Sequence, residues 1–176
     1  MLEDEIRKIK HESPIEDEIH EDRQPLIDVT THIEDSYVQE DDLKIEIHRM
    51  INSIEDEDSF FKVKEELEDR FGKISEDIII YMNEEWFEKL AKKLDVKMVR
   101  QTKNSIEILF SDEVVDRMDT EKVFVIAFDI SNMFRFASKG SSFSIVLDII
   151  RLEKHPIYYL VSLLDEICEK CLLPID

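Results

Sequence analysis

The chain has 176 residues, 43% of them hydrophobic, and a formal net charge of −20. That length suits one domain with a core of its own, while the charge repels phosphate backbones and speaks against direct nucleic-acid binding. No apolar run approaches the roughly 18 residues of a membrane span, and the charged start, MLEDEIRKIK, is no secretory signal.

Two cysteines make no disulfide framework, so a reducing cytoplasm is the expected setting. The charge is uneven: residues 1–70 hold 24 acids against 9 bases, and residues 71–176 hold 19 against 14. An acidic surface suits a basic protein partner, or simply solubility.

Residues 1–24 read as an acidic linker. Ile6 and Ile9 share one side of a short helix, but HESPIEDEIHEDR is too acidic and too poor in apolar groups to pack. A methionine ahead of such a linker suggests a fragment of a longer protein. Order is expected over residues 25–176. It begins at PLIDVTTHI, residues 25–33, whose alternation and β-branched content predict a strand. EDSY then turns the chain.

Three helices follow. The first places Leu43, Ile47, Met50, Ile51 and Ile54 at helical spacing, with Asp41 or Asp42 as its N-cap. The second puts Phe60, Val63, Leu67 and Phe71 on one face, with Asp56, Glu57 and Asp58 at its positive end. Gly72 is expected to close it in a left-handed conformation. The third starts at the N-cap Ser75 and buries Ile79, Met82, Trp86, Leu90 and Leu94. Its lysines lie near the negative end of the dipole.

The period then changes. VKMVRQTKNSIEILF reads as two strands about a turn at Lys103–Ser105. SDEVVDRM is a short helix capped by Ser111. TEKVFVIAFD is ambiguous between helix and strand, with Val123, Ala127 and Ile130 favouring helix. MFRFASKGSSFSIVLDI is a hairpin turning at Lys139-Gly140. HPIYYLVSLLDEICEKCLL is a last helix with Pro156 in its first turn. The fold class is therefore α+β: an N-terminal strand, a three-helix segment, a small mostly antiparallel sheet and a C-terminal helix.

Chemistry-bearing motifs are scarce. Neither GxxxxGK[ST] nor GxGxxG occurs, so no nucleotide site is signalled. The five histidines lack ligand spacing. Cys168 and Cys171 form a CxxC on one helix, without a second ligand pair for zinc or the strand-to-helix turn of a redox site. IEDEDS lacks the spacing and glycine of a calcium loop. No nucleophile elbow is present. Catalytic, cofactor-binding and metal-binding residues are accordingly expected to be none.

Four stretches in order carry a resemblance: LIDVTTHIEDSYV at 26–38, LKIEIHRMINSI at 43–54, EELEDRFGKIS at 65–75 and LAKKLDV at 90–96. The chain resembles the C-terminal domain of the bacterial transcription–repair coupling factor family, which shows an IPDxYI turn, a helix of the LRLExYKRI kind, ELxDRFGxLP and LAKKLGI. Order and spacing agree over residues 25–110, and the last third agrees in element pattern. Glu34 and Ser75 stand where the family has proline, and Asp95 where it has glycine.

The resemblance implies a parent protein that is an ATP-driven DNA translocase, with ATP and magnesium in its motor and none in this segment. That parent displaces stalled RNA polymerase and recruits the repair protein UvrA. The acidic linker at 1–24 would end the motor region. The domain itself is implied to be regulatory, packing on the parent's UvrA-binding module and masking it. Family positions matching Glu66 and Asp69 face basic residues of that module. Three residues apart, the two share a helix face, although Arg70 can pair internally with Glu66 at i, i+4. The alternative is a stand-alone acidic protein-binding module or nucleic-acid mimic.

Overall fold

The computed structural model describes residues 32–174. The expected linker at 1–24 lies outside them, as does the strand expected at 25–33 except for His32 and Ile33. Ile33 is buried, and the chain turns soon after, at 35–37.

Three helices form the first layer: α1 (Asp41–Asn52), α2 (Glu57–Phe71) and α3 (Glu76–Lys93). Ile47 and Ile51 of α1 are buried, and so is Ile54, just beyond its end. The N-cap of α1 is Glu40, which makes no side-chain cap bond, rather than Asp41 or Asp42. Those two lie in the first turn, where their charge favours the helix dipole. Asp56 and Ser59 build a capping box at α2: the Ser59 amide donates to Asp56 Oδ1 (2.8 Å) and the Asp56 amide to Ser59 Oγ (3.0 Å). Ser75 caps α3, accepting from the Ile78 amide.

Helix α3 is buried more completely than its apolar stripe predicts. Met82, Trp86, Leu90 and Leu94 are inside as expected and Ile79 is half-buried, but Asn83, Glu84 and Glu85 are buried too. The cause is α6 (Pro156–Lys170), which packs along α3 while α1 packs on it as well. Asp95, just after the α3 C-cap, has φ +48. This is the left-handed region that favours glycine and that Asp tolerates.

The sheet contains β1 (Val96–Gln101), β2 (Ser105–Phe110), β3 (Phe134–Lys139) and β4 (Ser142–Asp148), all antiparallel, in the order β1-β2-β4-β3. The first turn spans 102–104 rather than Lys103–Ser105. Thr102 sets it, its amide donating to Ser105 O (2.8 Å) and its Oγ1 accepting from the Asn104 and Ser105 amides. Between β2 and β3 lie α4 (Asp112–Asp116), capped by Ser111, and α5 (Thr120–Ile130). The ambiguous stretch is thus a helix, with Val123 and Ala127 buried.

Period-two patterning fixes which face of the sheet is covered. Ile106, Ile108 and Phe110 lie opposite Leu147, Ile145 and Phe143, and all six are buried. Phe124 of α5 meets Phe136 edge-on with centroids 4.2 Å apart, and lies against Phe143 as well.

Candidate protein-interaction site

With Val63 and Leu67 turned inward, Glu65, Glu66, Glu68 and Asp69 of α2 stand in solvent. The α2 end therefore presents an acidic face, on which Glu66 and Asp69 lie one turn apart. Asp69 makes no ion pair among the described residues.

Arg70 does not project freely. It reaches Glu46 Oε1 of α1 at 2.8 Å and Glu66 Oε1 at 3.3 Å, and its guanidinium carbon lies 5.0 Å from the centre of the Phe71 ring. The hydrogen bond to Glu46, followed by the charges of Glu46 and Glu66, raises its already high pKa. The i, i+4 partner was legible in the sequence. Glu46 was not, because α1 and α2 meet only through tertiary packing.

The turn after α2 is held from the other side. Tyr37 Oη lies 3.2 Å from both Leu67 O and Gly72 O, its one proton shared between the two carbonyls, and its ring lies 6.3 Å from that of Phe71. Burial, aided by Glu68, raises the Tyr37 pKa and so keeps it a donor. Gly72 adopts φ +87, ψ −171. This is not the left-handed helical region expected at this C-cap but an extended mirror region open essentially to glycine alone. Beside it lies a hollow of about 290 Å³ lined by Tyr37, Lys73 and Ser75.

The arrangement can accept charge-assisted hydrogen bonds from guanidinium or ammonium groups. Other polar clusters were missed by sequence reasoning. Glu84, Glu85 and Glu88 bring carboxylate oxygens within 4.8 Å of one another. Their signal was three acids within five residues in the mostly apolar middle of a helix. They are hard oxygen donors of the type calcium or magnesium takes, although an acidic cluster on one helix is not in itself a metal site.

The CxxC sulfurs are poor ligands or nucleophiles as thiols. Burial pushes Cys168 up to about 11 and raises Cys171 as well. His48 Nδ1 lies 2.9 Å from Tyr81 Oη, and His155 Nδ1 accepts from the Ile157 amide at the start of α6. His11 and His20 lie outside the described residues.

Residues 27–121 match the family model described as the TRCF domain. Similar curated proteins include the transcription-repair-coupling factor of Staphylococcus epidermidis, 29% identical over 131 residues, and that of Staphylococcus haemolyticus, 25% identical over 127. Each alignment covers 70% of this chain, and the chain spans about 10% of the length of those relatives. A crystal structure of the C-terminal domain of a transcription-repair coupling factor shares the fold, with a TM-score of 0.69 at 22% identity. The match covers 81% of this chain and 88% of the other.

Proposed function

The chain belongs to the TRCF domain family, and from that premise we propose that it is a regulatory protein-interaction domain of a transcription–repair coupling factor. In this reading it works in the bacterial cytoplasm by contact. ATP and magnesium serve the motor of the longer protein, which displaces stalled RNA polymerase and recruits UvrA. The domain packs on the UvrA-binding module of the same protein and masks it until the motor engages.

The observation that supports this reading is the exposed acidic face of α2 beside a rigidly held turn. Asp69 is open, and Glu66 is only half committed. If a basic partner residue claims Glu66, Arg70 keeps its shorter bond to Glu46. Exchange of partners therefore leaves no charge stranded, as a reversible clamp requires. A clamp that must open calls for a coupling of about 1–3 kcal/mol.

The test is a titration of this chain against the separately expressed UvrA-binding module at low and physiological salt. Binding that weakens with salt, and is lost in the Glu66→Ala, Asp69→Ala double variant, is the expected result. No binding at either salt, or binding indifferent to the two substitutions, would sink the proposal.

A further inference from the structure

Strand β3 forms one edge of the sheet, because it pairs with β4 alone. The Asp148 amide donates to Met133 O (3.0 Å), just ahead of the ladder in which Arg135 faces Val146 and Ala137 faces Ser144. In an antiparallel pair the main-chain groups of every second residue point to the partner strand. Those of Arg135, Ala137 and Lys139 therefore turn to β4. Those of Phe136 and Ser138 turn outward, where they bond nothing among the described residues. We propose that this edge is a docking site for an extended acidic segment of a protein partner, which adds to β3 as a fifth strand.

The open main-chain row suits an extended peptide, and the flanking side chains set its composition. Helix α5 is apolar on both sides: Val123 and Ala127 are buried, yet Val125 and Phe128 are 62% and 58% exposed. A helix on a protein surface ordinarily turns a polar face to water. The Phe128 ring lies 6.2 Å from that of Phe136. The outer stripe of α5 thus ends against β3 and forms an apolar ledge along its covered side.

Charge sets the sign. The chain carries −20, but residues 96–110 and 134–148, which span the sheet, hold five bases against two acids. Arg135 and Lys139 are exposed, on the side of β3 opposite Phe136. Neither makes an ion pair among the described residues. An added strand alternates its side chains. Acids on one side of it meet Arg135 and Lys139, while apolar residues on the other lie on Phe136 and Phe128.

Other occupants fit less well. A second copy brings −20 to −20 and sets a basic strand against a basic strand. Exposed charge on an edge discourages such self-pairing and still admits a strand of opposite sign. The chain's own residues 11–22 hold six acids and no lysine or arginine, but in extended form Ile15 and Ile19 share a side with Asp17, which would meet the apolar ledge. The edge shares no residue with the acidic face of α2, so it stands or falls independently of the proposed function.

The full chain is titrated with a capped octapeptide alternating glutamate and valine, and with its lysine–valine counterpart, and amide resonances are followed. The expected result is saturable shifts and slower amide exchange at Phe136 and Ser138 with the glutamate peptide alone. The Arg135→Gln, Lys139→Gln variant weakens binding about fivefold or more. Ser138→Pro removes an outward N–H that the fold does not use, a change an edge strand tolerates; it keeps the circular dichroism of the parent and abolishes binding. The Glu66→Gln, Asp69→Asn variant stays within about twofold of the parent.

Absence of saturation overturns the proposal, and so does equal binding of the lysine peptide, which means a ledge that is merely sticky. Parent-like binding by folded Ser138→Pro rules out strand addition. A dimer in sedimentation that Ser138→Pro dissociates makes a second copy the occupant instead. Binding about tenfold tighter in the Glu16→Gln, Asp17→Asn, Glu18→Gln variant assigns the edge to the chain's own acidic run.

Discussion

Gly72 is the most informative single position to perturb. At φ +87, ψ −171 it occupies a region that L side chains essentially avoid, at a cost of about 1–3 kcal/mol. A Cβ built there meets nothing within 4 Å, so Gly72→Ala suffers no clash and isolates the backbone cost. The smaller unfolded-state entropy of alanine returns about 0.4–1 kcal/mol. The net loss is then about 0–2.6 kcal/mol, centred near 1.3, or a fall in Tm of about 3–5 °C at that centre for a chain of this size. Urea unfolding read by circular dichroism should show a lower midpoint and an unchanged slope. Gly72→Asn should do no better than Gly72→Ala, because Asn eases the left-handed helical region and not this one. Gly140, at φ +64 with open space around it, should accept Asn more readily. The reasoning fails if Gly72→Asn is as stable as the parent while Gly140→Asn is not.

Four further outcomes can be measured. Tyr37→Phe removes the hydroxyl shared by Leu67 O and Gly72 O; it should cost about 0.5–1.5 kcal/mol and speed hydrogen exchange around Gly72, and unchanged exchange there would count against the tie. Burial lowers the His155 pKa below its ordinary value of 6.5, so the stability it contributes is present above that value and is lost as pH falls through the folded one. His155→Asn, which can still accept the Ile157 amide, should flatten this part of the stability–pH curve. Asp165 has the opposite sign: burial raises its folded pKa, so its ionised form penalises the fold at neutral pH and the penalty vanishes below the ordinary value of 3.8. Asp165→Asn should therefore raise the unfolding midpoint at neutral pH, and its advantage should shrink in acid. Cys168, at about 11 against an ordinary 9.0, should be alkylated about a hundredfold more slowly at neutral pH than an ordinary thiol.

Where the interaction is local, the chain's own order of residues was enough. The caps at Ser75 and Ser111, the first-turn Pro156, the turn at Gly140 and the inward stripe of α2 each depend on neighbours within a turn of helix or a two-residue loop. The acidic pair Glu66 and Asp69 and its internal competitor Arg70 were legible for the same reason, since all three lie within five residues. The cap of α1 and the conformation of Gly72 were misread, because composition indicates that a cap or a positive φ is needed without indicating the position or the ψ.

What only the tertiary structure decided are the meetings of distant segments. Glu46 holds Arg70 because α1 packs beside α2, and Tyr37 ties a loop to the α2 terminus across 30 residues. Asn83, Glu84 and Glu85 are buried because α6 arrives from the far end of the chain to cover α3. The order β1-β2-β4-β3 comes from the same long closures. Periodicity states which face of each element is apolar. Which partner covers that face is set by packing between segments far apart in sequence, for which no local pattern carries a signal.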